Sequence, residues 1–281
     1  MKLKKFLALL SLPVVFFFTA CQKEGTEPDP EIETTFKLSE NQAVSESIND
    51  DANVVFFEAA ANAGLIGSRT SQVFQSTNTL SCANVTVTPQ NSFPKTIVID
   101  FGNGCTSIDG VSRAGKINIT LSDSVHHPGA TAVMTFENYR VAGYSVEGTI
   151  TWTNTSTPNG ISWTREITNG KVTEPLSGYY WTHTGTKNVT QTAGVNTPQN
   201  LLDDVYSVTG NHTVTNPAGK SRSVTILEAL EKKVICHNVS KGKMKIQGPN
   251  HYAILDYGNG DCDNVATISI DGFAPITILI P

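Results

Sequence analysis

The chain has 281 residues, a length that suits one large all-β domain or two smaller ones. It carries 20 Lys and Arg against 25 Asp and Glu, for a formal net charge of −5 at pH 7, and shows no basic cluster. Because nucleic acids and anionic lipids attract proteins through clustered Lys and Arg, no nucleic-acid partner is expected.

The first 21 residues follow the order of a secretory signal peptide. A basic start precedes an apolar segment, and small residues precede Cys21. This ending resembles a bacterial lipoprotein signal, in which residues 1–20 are removed and Cys21 is acylated. Two alternatives stay open. A transmembrane anchor is disfavoured, because the 15 residues before Cys21 contain Pro13 and fall short of the roughly 20 that cross a bilayer. The second alternative is an ordinary signal peptide that happens to end near a Cys, since Phe18 stands where lipoprotein signals usually carry Leu.

Residues 21–40 are predicted to form a flexible acidic tether. Their first part is acidic, contains two Pro and has too few apolar side chains to fold. The Lys23-Glu24 stretch also resembles the segment that follows the acylated Cys in surface-exported lipoproteins of the Bacteroidota. A plain solvated linker is the alternative.

Residues 41–281 are predicted to form a β-rich domain with one helix near its start. The helix is expected at about 45–67, where Ala, Val and Phe recur and Asp50 and Asp51 are possible caps. From Val85 onward, turn residues separate runs rich in Val, Ile, Thr and Tyr, which is typical of an antiparallel meander. The predicted fold is mainly β, an antiparallel meander sheet, sandwich or open barrel with one N-terminal helix.

Two dipeptides predict tight hairpins within this domain. Asn169-Gly170 lies between two strand-like runs and is a strong hairpin signal. Asp271-Gly272 joins the final two predicted strands, residues 265–270 and 276–280.

Four Cys remain besides Cys21, an even number that predicts disulfides in an exported chain. Four Cys allow three pairings, and an internal repeat favours one of them. In each copy a Cys-x-Asn-Val stretch is followed by a strand that ends in Asp-aromatic-Gly-Asn-Gly, and a closing Cys follows within two residues. We expect repeat units at about 82–110 and 236–272, with the pairs Cys82–Cys105 and Cys236–Cys262.

An aromatic cluster is the candidate ligand-binding region. Strand parity predicts that Trp152 and Trp163 point into the core, since each shares a strand face with apolar residues. The consecutive residues Tyr179, Tyr180 and Trp181 must place at least one ring on the other face. These three are the candidate platform on which a sugar ring could stack.

The sequence contains no catalytic motif that would identify an enzyme. G-x-S-x-G, P-loop, dinucleotide-glycine, H-E-x-x-H and C-x-x-C patterns are all missing. His126-His127 precedes Pro128-Gly129, and a turn explains the pair. Asn259, Asp261 and Asp263 alternate as in a calcium loop, but position six is Asn and position twelve is Ile, so a disulfide-held turn is favoured. We expect no catalytic residues, metal or cofactor.

The Cys-bounded repeats and their Asp-aromatic-Gly-Asn-Gly turns resemble a large group of uncharacterised β-rich lipoproteins of the Bacteroidota. The resemblance covers most of residues 80–281 and implies location and fold without an activity. We expect an outer-membrane lipoprotein, at the cell surface or on the periplasmic face, that acts as a non-catalytic interaction or structural module. Its partners would be the membrane, through the acyl anchor, and a glycan or protein. A glycan-binding lipoprotein of a polysaccharide-capture system is the first alternative, and a hydrolase with a site not visible in sequence is the second. A lipid held between sheet and helix is a further alternative.

Overall fold

The computed structural model describes residues 29–66, 78–197 and 200–281. The predicted signal peptide, Cys21 and the first part of the predicted tether lie outside these residues. Within them the chain forms one helix, α1 (Pro30–Asn62), and fourteen strands. The strands are β1 (Asn84–Thr88), β2 (Lys95–Asp100), β3 (Cys105–Thr106), β4 (Ser112–Leu121), β5 (Thr131–Val141), β6 (Tyr144–Asn154), β7 (Ser162–Thr173), β8 (Tyr180–Ala193), β9 (Val205–Thr215), β10 (Ser221–Lys233), β11 (Lys241–Gln247), β12 (Tyr252–Asn259), β13 (Val265–Ile270) and β14 (Ile276–Leu279).

The strands form a single antiparallel meander. Each strand pairs with the next along the chain, except that β2 and the two-residue β3 both pair with β4. The sheet is open, with β1 and β14 at its two edges. The prediction of a mainly β, meandering fold with one helix is confirmed. No helix in the described part of the chain combines the length and apolar composition of a membrane span.

The sheet curves around α1, which lies against its inner face. Eighteen helix residues are buried, on all sides of the helix, and its contacts reach strands from β4 to β13. Strand alternation supplies the opposing surface, because every second residue points inward. A buried row therefore crosses five neighbouring strands, formed by Ile97, Ile119, Met134, Ile150 and Ile167.

The helix begins earlier than predicted, so residues 30–40 of the expected tether are helical. Asp29 caps the first turn by accepting a hydrogen bond from the Glu31 backbone N at 2.8 Å, and Pro30 occupies the first helical position. The Glu31 carboxylate also accepts from the backbone N atoms of Asn250, at 2.7 Å, and His251, at 3.0 Å. The Asn250 bond is the main reason that the pKa of Glu31 falls to about 2. The helix start is thus fixed to the β11–β12 turn, a distant contact that apolar periodicity does not reveal.

The predicted hairpin at Asn169-Gly170 is wrong, because β7 runs through this dipeptide without reversing. Its register against β8 shifts between Ile167 and Gly170, and Asn169 has a φ of 52°. Asn169 therefore forms a β-bulge instead of the predicted hairpin turn, since both structures accommodate a residue with positive φ. On β6 the opposing position is Gly148, where a Cβ would lie 2.6 Å from the Asn169 carbonyl oxygen. The hairpin at Asp271-Gly272 is confirmed between β13 and β14.

Candidate functional site

Three acidic side chains of α1 form ion pairs with cations on the inner face of the sheet. Glu46 pairs with Lys187 of β8, and Asp50 Oδ1 lies 2.8 Å from Nη1 of Arg165 on β7. Asp51 pairs with Arg113 of β4. The cationic side chains are at most 4% exposed, so these pairs lie inside the protein rather than on its surface.

The pair formed by Asp51 and Arg113 belongs to a wider network near the C-terminal half of α1. Arg113 Nη2 also lies 2.8 Å from Asp109 Oδ2, and the Tyr139 hydroxyl donates to Asp51 at 3.2 Å. Burial opposes the charge of Arg113, but its bonds to Asp51 and Asp109 raise its pKa above the usual value overall. Burial, followed by the charge of Asp51, raises the pKa of Tyr139. At pH 7 Arg113 is therefore charged and Tyr139 is neutral.

Two buried histidines lie close to Glu46. Burial lowers the pKa of His183 to about 4, and burial together with the charge of Lys187 lowers the pKa of His212 well below its usual value. Both imidazoles are therefore neutral at pH 7. Neither ring nitrogen of His212 has a hydrogen-bond partner among the described residues, although its Nε2 lies 3.6 Å from Glu46 Oε1.

A cavity lies between the C-terminal half of α1 and strands β6 to β10. We call it the helix–sheet cavity; its principal lining residues are Asp50, Phe57, Trp152, Trp163, Arg165 and Lys232. Its empty space, counting the open mouth, is about 580 Å³.

Aromatic rings form one wall of the helix–sheet cavity. Phe57 meets Trp152 and Trp163 edge-on, with ring centroids 5.6 and 5.4 Å apart. Trp152 Nε1 donates to Asn53 Oδ1 at 2.9 Å. Trp163 is 3% exposed, and its Nε1 has no hydrogen-bond partner among the described residues. The prediction that both Trp point into the core is confirmed.

A second depression, the edge groove, runs between the N-terminal half of α1 and the free edge of the sheet. It is lined by Phe36, Lys37, Glu40, Asn41 and Val44 of α1, by Tyr144 and Glu174, and by β14. Its empty space, including open solvent, is about 830 Å³. Lys37 bridges the groove through an ion pair of 3.1 Å with Glu174.

The predicted platform of Tyr179, Tyr180 and Trp181 does not form one surface. Trp181 is fully buried, and its Nε1 donates to Ser45 Oγ at 2.8 Å. Tyr179 is half-buried beside α1, where its hydroxyl accepts from Asn41 at 3.2 Å. Tyr180 is exposed and lies beside Lys171 on the outer face. The three rings therefore cannot stack together on one sugar.

The predicted cysteine pairs are brought together. The Cα atoms of Cys82 and Cys105 lie 6.2 Å apart, and those of Cys236 and Cys262 lie 5.1 Å apart, which suits disulfides. Among the described residues no group of three His, Cys, Asp or Glu is placed to hold a metal.

The buried cations are the site residues that the sequence prediction missed. Each of these cations occupies a strand position whose side chain points inward. Arg165 lies between the buried Trp163 and Ile167, and Lys232 follows the buried Leu230 by two positions. A cation at an inward-facing position is the signal that could have revealed them.

Comparison with known proteins gives no relative. No protein-family model, curated protein or solved structure matches the chain.

Proposed function

We propose that this chain is a lipid-anchored protein of the outer membrane or cell surface, attached through acylated Cys21, and that its β-rich domain is a non-catalytic interaction or structural module. The signal-like first 21 residues and the resemblance to Bacteroidota lipoproteins support the anchor. The two cysteine pairs support a location outside the cytoplasm, since disulfides persist in oxidising compartments.

The observation that carries the non-catalytic proposal is the use of the interior charges. Glu46, Asp50 and Asp51 each contact a buried cation, so these pairs dock the helix inside the sheet. A general acid or base must reach a substrate proton at hydrogen-bond distance. Carboxylates paired in this way with buried cations serve packing and orientation instead.

Metabolic labelling with palmitate tests the anchor. The wild-type chain should carry the label and sediment with membranes, and Cys21→Ala should lose both properties. The matched control is the double variant Cys82→Ser/Cys105→Ser, which also replaces cysteines but should keep the label. Labelled or membrane-bound Cys21→Ala protein would overturn the anchor. Degradation by proteinase K on intact cells would support the outer surface, and protection would support the periplasmic face.

Glycan binding is the second candidate function, and the edge groove is the observation that favours it. The groove places Tyr144 and Phe36 beside Glu40, Asn41 and Glu174, which combines rings for stacking with acceptors and donors for hydroxyl groups. Affinity electrophoresis in gels containing soluble polysaccharides tests this candidate. Retardation should be lost in Tyr144→Ala and retained in Tyr180→Ala, which removes an exposed ring outside the groove. No retardation of the wild-type chain in any gel would argue against glycan binding.

A further inference from the structure

The helix–sheet cavity has an uneven charge on its wall. Arg165 pairs with Asp50 at 2.8 Å. Lys232, by contrast, is 6% exposed and has no carboxylate oxygen within 4.0 Å among the described residues. Its Nζ donates to the carbonyl oxygens of Cys236, at 2.6 Å, and His237, at 2.5 Å. Burial lowers the pKa of Lys232, and the charges of Asp50 and Asp51 oppose this shift without direct contact. Because no carboxylate touches this buried ammonium, the position favours an incoming anion.

Hydrogen-bond donors remain on the same wall. An ammonium group has three N–H donors, and Lys232 uses two of them on the carbonyls. Trp163 Nε1 and Arg165 Nε are buried and have no hydrogen-bond partner among the described residues. The buried polar atoms of the lining residues that lack a partner are therefore donors, and the third N–H of Lys232 suits a ligand whose polar end accepts hydrogen bonds.

The rest of the wall is apolar. Phe57, Trp152 and Trp163 form its aromatic part, and Val189 and Val208 line it from β8 and β9. Such a surface takes a hydrocarbon chain or a ring rather than a sugar or nucleotide. The polar end and the apolar body together define the ligand.

We propose that the helix–sheet cavity binds a small apolar monocarboxylate, whose carboxylate accepts a hydrogen bond from Lys232 and whose hydrocarbon part packs against Phe57, Trp152 and Trp163. The ligand carboxylate supplies a counter-ion in direct contact with Lys232. This site goes beyond the proposed function and does not depend on the acyl anchor.

Titration with octanoate tests the proposal, with 1-octanol as the uncharged probe of equal chain length. The full chain carrying Cys21→Ala is used, so that detergent is not needed for an anchored form. The protein has three Trp, and two of them line the cavity, so intrinsic fluorescence reports occupancy. Octanoate should change the fluorescence saturably and bind at least about tenfold more tightly than octanol, because it gains a charge-assisted hydrogen bond.

Two variants test the charge of Lys232 and the space inside the cavity separately. Lys232→Met should weaken octanoate by about tenfold or more and leave octanol unchanged. The matched control is Lys233→Met, since Lys233 also donates to a carbonyl, that of Gly260 at 2.6 Å, but lies outside the cavity lining. Val54→Phe, at a half-buried lining position, should block both probes by filling the space.

Two results would overturn the proposal. The first is the absence of a saturable response to octanoate in the parent chain. The second is equal octanoate affinity in the parent chain and in Lys232→Met. If Lys232→Met fails to fold, unchanged octanoate binding by Val54→Phe refutes the site instead. Absence of the palmitate label from the wild-type chain would refute the anchor without affecting this titration, so the two proposals fail separately.

Discussion

Replacing Glu46 by Gln should destabilise the domain by about 3–5 kcal/mol, because the change leaves the ammonium of Lys187 buried without a carboxylate. The side chains of Glu46 and Lys187 are 3% and 4% exposed. The other charged group close to Glu46 is Arg165, whose Nη2 lies 3.6 Å from Oε2, and it would repel Lys187 further. Glu46 and Lys187 therefore form a buried ion pair. Removing one partner of such a pair destabilises the fold by far more than the pair itself contributes to stability.

The reverse change should cost less. In Lys187→Met the Glu46 carboxylate keeps Arg165 and the Nε2 donor of Gln42. The double variant Glu46→Gln/Lys187→Met should be more stable than the sum of the single effects implies, by about 1–3 kcal/mol. Equilibrium unfolding in urea of the oxidised protein, followed by far-UV circular dichroism and Trp fluorescence, measures all three differences.

An exposed pair of the same residue types is the control. Lys171 Nζ lies 2.8 Å from Glu147 Oε1, but these side chains are 36% and 60% exposed. Glu147→Gln should cost less than about 1 kcal/mol, because water screens a surface pair. If Glu46→Gln is as mild as Glu147→Gln, the interior pairs do not hold the helix and the reasoning is refuted.

Three further predictions concern pH, backbone and disulfides. Because the folded-state pKa of His183, about 4, lies below its usual 6.5, the unfolded chain binds more protons between these values. Stability should therefore fall as pH drops from 6.5 to 4, by up to about 3 kcal/mol from this group, and urea unfolding of His183→Gln should show a smaller fall. Gly185→Ala should lower the thermal midpoint markedly, because its Cβ would collide with His212, whereas Gly219→Ala meets no atom and should lower it less; equal shifts would contradict this packing. Non-reducing peptide mapping should recover the two intra-repeat links, and reduction should cost roughly 3 kcal/mol per bond; a link between the repeats would contradict the described pairing, Cys82–Cys105 and Cys236–Cys262.

Strand alternation and turn residues predicted most of the fold, because both are local properties of the chain. The inward positions of Trp152 and Trp163 follow from a two-residue period. The closing hairpin follows from Asp271-Gly272, whose φ values are 48° and 80°.

Features that depend on distant partners were not predicted. Residues 30–40 lack a continuous apolar face, and Thr35, Leu38 and Ser39 among them become buried because the sheet encloses the helix. Asn169 permits either a turn or a bulge, and pairing of the whole of β7 with both neighbours decides between them. The helix–sheet cavity likewise combines residues from α1 and from strands far along the chain. No local sequence pattern predicts that these residues come together.

The position of α1 at the start of the described chain has a consequence for the order of folding. Asp51 lies 62 residues before Arg113, Glu46 lies 141 residues before Lys187, and Glu31 lies 219 residues before Asn250. Contacts between such distant positions form slowly, because a long loop must close before any of them is made. If the chain is exported from its N-terminus, as proposed above, the helix emerges before all of its ion-pair partners. We therefore expect the helix to have no stable partner until the strands that pair with it are available, and the sheet then to assemble around it.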